Sequence, residues 1–353
     1  MVREIGQGNI NTTFCIEFLN NSLKDKIIVQ KINNIVFKDD SVLESNYLEF
    51  YNYSREKLTK SNHSISSKWK IPSLISRLNG KKFFRLDGTT WRAFSFVENT
   101  YTISKISNIR QALESSKGLA FFHYLISSIP RIKLKSSIPH FHDINYHLDV
   151  LKQTKMHSTR NVNKKRVDFL VNSLSKLSYA IDLFDFSKKK QIISESNIHG
   201  DTKVSNFLFE KDTNEIISLI DIDTLSCDFI LNDLADFFRS LCLVSGEEPD
   251  SIEEVKFDLD IFDVSLDKYI EEGPSLITSH DLHYLPYAII SITLELCIRF
   301  FNDYLAGDNY FKTNYKDHNL FRAEVQMHLA LDVHNKLLNL NRIVGSKRRL
   351  IIK

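Results

Sequence analysis

What this sequence has least of is unbalanced charge. Its 46 Lys and Arg against 44 Asp and Glu leave a formal net charge of +2. That is too small a field to hold nucleic acid or an acidic membrane by electrostatics. Cysteine is also sparse: Cys15, Cys227, Cys242 and Cys297 are scattered, with no Cys-x-x-Cys pair. That pattern argues against a zinc site and a disulfide framework, and it fits a reducing cytoplasm. No apolar run reads as long enough to span a bilayer, and no charged-then-apolar leader follows Met1. The expectation is a cytoplasmic protein with neither nucleic acid nor membrane as a partner. What is present is ordinary for a soluble globular chain, 42% hydrophobic and 25% charged over 353 residues. That length holds one large domain or two lobes with sizeable cores.

The informative stretch is Ile198-His199-Gly200-Asp201-Thr202-Lys203-Val204-Ser205-Asn206-Phe207-Leu208-Phe209, followed by Leu219-Ile220-Asp221-Ile222-Asp223-Thr224. An Asp stands five positions before an Asn, and another Asp follows an apolar hairpin. Kinase-type catalytic loops use this spacing to set a hydroxyl-orienting carboxylate beside two magnesium ligands. Glu210 to Glu215 reads as a tight turn that pairs Asn206–Phe209 with Ile216–Ile220. The pairing predicts that Asp221 faces the same cleft as Asp201 and Asn206.

These residues resemble the aminoglycoside phosphotransferase and choline kinase superfamily of small-molecule kinases, and the likeness is nearer still to the N-acetylhexosamine 1-kinase group. It extends through Asp233-Leu234-Ala235-Asp236-Phe237-Phe238-Arg239 and the run from Arg299 to Phe311, and so over nearly the whole chain. The resemblance implies an α+β, bilobal protein-kinase-like fold. A β-rich N-terminal lobe over residues 1–98 would bind nucleotide. A mainly helical lobe over residues 99–353 would hold the catalytic loop and the substrate pocket.

In chain order, Gly6-Gln7-Gly8-Asn9 opens a turn into an apolar strand from Phe14 to Phe18. Glycines let backbone N–H groups approach a phosphate, so Gly6, Gly8 and Asn9 are candidate nucleotide contacts; an ordinary hairpin turn is the competing reading. The turn begins five residues into the chain, so its leading strand is short or lacks its first residues. Lys26 to Ile32 is a strand where a kinase carries its phosphate-clamping lysine. Lys31 is the natural candidate, but Gln30 points to the opposite face and the choice stays open. A helix from Val42 to about Lys57 follows, with Glu44 as a possible partner of that lysine. A hairpin turning at Asp87-Gly88-Thr89-Thr90 leads to Val97-Glu98-Asn99, the expected linker whose backbone would meet adenine; Glu98 marks it.

Beyond the linker the pattern is helical over Ile106–Ser127, Val167–Ile181, Leu285–Leu305 and Tyr315–Leu340. His140-Phe141-His142-Asp143 is expected near the substrate pocket rather than on a metal. Asp233 is expected to brace the catalytic loop from behind, and Gly246 to Asp260 to form an acidic surface loop. Ser346-Lys347-Arg348-Arg349 reads as a solvated tail.

The chemistry expected is transfer of the ATP γ-phosphate to a hydroxyl. Asp201 orients the acceptor oxygen, Lys203 meets the transferring phosphate, and Asn206 and Asp221 ligate Mg2+. Asp223 either joins the metal or bonds the acceptor. The resemblance further implies that Arg299, Asp303 and Tyr310 line a pocket for a sugar, with phosphorylation at the anomeric hydroxyl of an N-acetylhexosamine. Two other readings compete. Asp221-Ile222-Asp223 matches the Asp-x-Asp of dehalogenase-type phosphatases, although the alternating βα pattern of that fold is absent. A nucleotide-binding scaffold without activity is the other.

Overall fold

The computed structural model describes residues 1–351 apart from 7, 9, 21, 22 and 161. It is a mixed α+β fold, with a sheet-rich N-terminal region and a mostly helical C-terminal region. Five antiparallel strands form the first sheet: β1 (Val2–Ile5), β2 (Thr12–Asn20), β3 (Leu23–Lys31), β4 (Phe83–Leu86) and β5 (Thr89–Ser95), in the order β1-β2-β3-β5-β4. Between β3 and β4 lies α1 (Asp40–Thr59), capped by Asp39, whose carboxylate accepts the Ser41 N–H. Leu43, Tyr47 and Phe50 recur on one face at helical spacing and are buried. From the same helix Asn46 donates to the carbonyls of Lys135 and Leu225, at 2.7 and 3.0 Å, which seats α1 on the helical region.

After β5 the chain passes Val97 and enters β6 (Thr100–Tyr101). The helices α2 (Ile109–Ile126), α3 (Ile144–His157) and α4 (Lys164–Lys189) precede four short strands: β7 (Glu195–Ile198), β8 (Phe207–Glu210), β9 (Ile216–Leu219) and β10 (Ser226–Phe229). β6, β8 and β9 form one small sheet, and β7 pairs with β10 in another. The hairpin expected after the catalytic loop is therefore present, with Phe207 opposite Leu219. The remaining helices are α5 (Ile230–Leu241), α6 (Leu259–Glu272), α7 (Ser279–Ala306), α8 (His318–Asn335) and α9 (Leu337–Ile351).

Three sequence expectations need correction. By length and composition α7 is apolar enough to cross a bilayer, although none was expected; 78% of its most apolar stretch is buried inside the fold. It is a core helix, started by a capping box of Thr278 and Asp281. Ser346–Arg349 is not a free tail but part of α9, where Lys347 bonds Asp263 and Asp267 of α6, each at 2.6 Å. The segment from Gly246 is not wholly a surface loop, because Glu247 turns inward to the buried Arg239.

Candidate active site

Two loops make the site, and the strand pairing brings them together. The first, His199–Asn206, joins β7 to β8; the second, Ile220–Leu225, joins β9 to β10. Because β7 pairs with β10 and β8 with β9, both loops are pinned at both ends by shared ladders. Further bonds close the gap. The Ile220 N–H donates to the Asn206 carbonyl at 3.0 Å, and the Thr224 hydroxyl to the His199 carbonyl at 2.9 Å. Gly200 has φ +86°, and a Cβ there would meet the Thr224 carbonyl oxygen at 2.8 Å. Only glycine allows this approach. Asp221 also has positive φ, +68°, a conformation that Asp tolerates better than most residues.

The first loop is braced from behind. Asp233, at the start of α5, accepts the His199 N–H at 2.6 Å and the Gly200 N–H at 2.7 Å. His123 of α2 donates Nε2–H to the same carboxylate at 2.8 Å, and its Nδ1 meets the Tyr269 hydroxyl. Burial raises the Asp233 carboxyl, but these donors outweigh it and the net shift is downward. His199 is spent on backbone: Nε2–H donates to the Ile220 carbonyl and Nδ1 accepts the Asp201 N–H. Burial lowers its basicity, so it stays neutral.

At the centre, Lys203 Nζ lies 2.5 Å from Asp201 Oδ2, and Asn206 Nδ2 donates to the Asp201 carbonyl and to Oδ2. Burial alone would raise the Asp201 carboxyl; the adjacent ammonium holds it below the usual carboxylate range. Lys203 is in turn raised, because Asp201, Asp221 and Glu247 outweigh its own desolvation. Asp221 has no hydrogen bond or ion pair among the described residues. Burial, then the charge of Asp223, pushes it up to about 6. The Asn206 amide oxygen is likewise without a hydrogen-bond partner among the described residues, its amino group alone being bonded. An unpartnered carboxylate and an amide oxygen facing one cavity suit a hard divalent cation that completes its shell with water and phosphate.

That cavity, of about 610 Å³, runs between the first sheet and β8–β9. Ile28, Phe94 and Phe96 on one side and Leu208 and Leu219 on the other make an apolar slot. Gly6 and Gly8 border it; Asn9 lies outside the described residues. Val97 lines it, whereas Glu98 is exposed, with its carboxylate 3.4 Å from Lys26. Of the two strand candidates left open, Gln30 lines this cavity, whereas Lys31 is exposed and does not. Strand parity explains this: Gln30 shares the cleft face with its partners Thr13 and Arg92.

A second cavity, of about 120 Å³, opens beside Asp201 toward α7. Arg299 lines it, lying 4.5 Å over the Phe141 ring and donating to the Tyr310 hydroxyl at 3.4 Å. Tyr310 thus orients Arg299. Asp303 is a correction: it is buried and accepts the backbone N–H groups of Asn309, Tyr310 and Phe311, so it builds the turn after α7. Asp223 borders both cavities, but its oxygens are taken by Arg92, at 2.6 and 2.7 Å, and by Asn11 at 2.9 Å.

Sequence reasoning gave no role to Asp236, Arg239 or Glu247, and for His142 only a place near the substrate pocket. Arg239 is fully buried between Asp236 and Glu247, and Asp236 Oδ2 has no hydrogen-bond partner among the described residues. His142 donates from both ring nitrogens, to the Gly200 carbonyl at 3.2 Å and to Glu295 of α7 at 3.3 Å. Burial pushes His142 down, but the Glu295 carboxylate outweighs it and the net shift is upward. The Phe-His-Asp run was the one sequence signal for this corner.

No protein-family model matches the chain. Among solved structures, the fold is similar to that of a microcompartment-associated aminopropanol kinase, at 12% identity over 97% of this chain and 93% of that one, with a TM-score of 0.63. A choline kinase from Cryptosporidium parvum Iowa II is similar at 15% identity, 99% and 93% coverage and a TM-score of 0.62. An aminoglycoside phosphotransferase from Alicyclobacillus acidocaldarius is similar at 14% identity, 98% and 92% coverage and 0.60. The likeness is one of fold, over nearly full length in each case.

Proposed function

We propose that this chain is an ATP-dependent kinase of a small polar molecule, with the anomeric hydroxyl of an N-acetylhexosamine as the favoured acceptor. The observation that carries the reading is the meeting of Asp201, Asn206 and Asp221 where a nucleotide-sized cavity adjoins a smaller one. The fold neighbours, named for kinase or phosphotransferase activity on aminopropanol, choline and aminoglycosides, support the same class. In this reading residues 1–98 form the nucleotide lobe and residues 99–353 the acceptor lobe, with Val97 and Glu98 as the linker beside adenine.

The acceptor hydroxyl donates to the Asp201 carboxylate, which aligns its oxygen with the γ-phosphorus. The new O–P bond forms as the bond to the β–γ bridging oxygen breaks, and the hydroxyl proton passes to Asp201. Asp201 is ionised and ready to accept, because Lys203 stabilises its charge. Lys203, whose side chain lines both cavities, would also offset negative charge on the phosphate oxygens. Asn206 and Asp221 would hold Mg2+, which neutralises the phosphates when bound. An anomeric hydroxyl is more acidic than an ordinary alcohol, so orientation and charge neutralisation suffice without a strong base.

Charge pairing supports an uncharged acceptor over a polycationic one. Asp201 is matched by Lys203, Asp223 by Arg92, Glu295 by His142, and Asp236 with Glu247 by Arg239. Among the carboxylates lining the smaller cavity only Asp221, the one assigned to Mg2+, is without such a partner among the described residues, so the wall offers no field of free carboxylates for an antibiotic with several ammonium groups. The test is coupled ADP release with magnesium and ATP, using N-acetylglucosamine, N-acetylgalactosamine, simple hexoses, choline, homoserine and an aminoglycoside. Stimulation by a sugar is expected. Stimulation by non-sugars alone removes the sugar and keeps the kinase. Nucleotide binding with no turnover on any acceptor replaces the enzyme with a scaffold.

A further inference from the structure

In protein kinases a strand lysine holds the nucleotide phosphates and is anchored by a carboxylate of the following helix. Neither half of that pair stands here. Lys31 is exposed outside the cavity, and Glu44 of α1 has no ion pair among the described residues. The first sheet nevertheless sends a buried cation to the nucleotide cavity. Arg92 of β5 is 1% exposed and stands opposite Gln30 in the β3–β5 ladder, so both share the cleft face.

Its guanidinium is fixed on two sides. Nε and Nη2 donate to Gln30 Oε1 at 2.9 and 2.7 Å, and Nη2 donates to Asp223 Oδ2 at 2.7 Å. Nη1 lies 2.6 Å from Asp223 Oδ1, an ion-pair contact that uses one of its two N–H groups and leaves the other. Asp223 is held in turn by Asn11, whose amide oxygen accepts the Asn33 N–H at 3.0 Å. The anchor therefore comes from the loop of Asp221, two residues away, and from the strand entry just past Gly8. An arginine so held is permanently charged, aligned in advance, and suited to phosphate oxygens.

We propose that Arg92 is the phosphate-holding cation of this chain, with Asp223 as its anchor in place of a helix glutamate. The proposal rests on the kinase reading above. It also explains why Asp223 is not free for metal or acceptor, since its oxygens are committed to fixing the arginine and Asn11.

The test is calorimetric binding of ATP and of adenosine to the full chain, with a thermal melt on every variant. Lys31→Ala is expected to bind ATP within about twofold of wild type. Arg92→Gln alone would strand Asp223 as a buried charge. The working variants are therefore the uncharged double variant Arg92→Gln/Asp223→Asn and the charge-conserving Arg92→Lys. Both are expected to lose ATP affinity, by about tenfold or more for the double variant and less for Arg92→Lys, with adenosine binding unchanged. Should the double variant not fold, Arg92→Lys carries the same ratio of ATP to adenosine affinity. Wild-type ATP affinity in the folded variants, or equal loss for ATP and adenosine, overturns the proposal and leaves the pair a strut between sheet and loop. Failure of wild type to bind ATP at all overturns the kinase reading, and the proposal with it.

Discussion

Asp233 receives the backbone N–H groups of His199 and Gly200 on its two carboxylate oxygens, at 2.6 and 2.7 Å. The residues just before Asp201 are thereby fixed by one buried side chain on another element. Asn in its place offers one acceptor and one amino group, and that amino group would face an N–H donor. Asp233→Asn should cost about 2–3 kcal/mol, the scale for losing a hydrogen bond to a buried charged group and leaving its donor unpaired. Denaturant titration of wild type and variant measures it. A loss below about 1 kcal/mol would mean that the ladders alone hold the loop.

The pair of His142 and Glu295 makes stability depend on pH. His142 is raised in the folded state, against an unfolded value of about 6.5. Its contribution is therefore fully present below about pH 6.5 and is lost as pH rises through the folded value. Glu295 is lowered: burial raises it, but His142 outweighs burial. Its contribution is present above the unfolded value of about 4.3 and falls away as pH drops through the folded one. His142→Gln should thus destabilise more at pH 6 than at pH 9, as read from paired denaturation curves. A gap that widens toward pH 9 contradicts the charged form of His142.

The catalytic spacing was legible because it is local. Asp201, Asn206 and Asp221 flank one hairpin, β8 and β9, and its apolar runs and turn residues set the register. What stayed hidden depends on contacts distant in sequence. Arg92 and Asp223 meet only because β5 lies beside β3 and the helical region rises to it. The choice between Lys31 and Gln30 is one of strand parity, which a single-residue shift reverses. Glu247 sits in a segment whose acidity reads as solvated, and only the buried Arg239 turns it inward. Asp303 looked like a ligand residue because a resemblance aligned it; its neighbours in the turn take both oxygens.

Asp236 is 8% exposed and borders the smaller cavity, and its Oδ2 is without a hydrogen-bond partner among the described residues while Oδ1 bonds Arg239. A buried acceptor left open at a cavity wall fits a ligand hydroxyl. Asp236→Asn keeps the shape and alters the acceptor set. It should raise the acceptor KM about tenfold, roughly one charged hydrogen bond, with little change in the ATP KM. Steady-state kinetics against both substrates decides it. Equal changes in both KM values would mean that the side chain only steadies Arg239.

Asp201 is the sharpest case. Its carboxylate is held below the usual carboxylate range, bonded by Asn206 and charge-stabilised by Lys203. Asn at this position preserves volume but cannot take the acceptor proton. If the carboxylate orients and deprotonates the hydroxyl, Asp201→Asn should lower kcat by about a thousandfold, within the usual span for a positioned base. ATP binding should stay nearly intact, since that hydrogen bond forms only to the acceptor. Single-turnover rates together with nucleotide titration separate the two. A fall of less than about tenfold in the chemical step would show that another group orients the acceptor, and Lys203→Ala would then be the variant to measure.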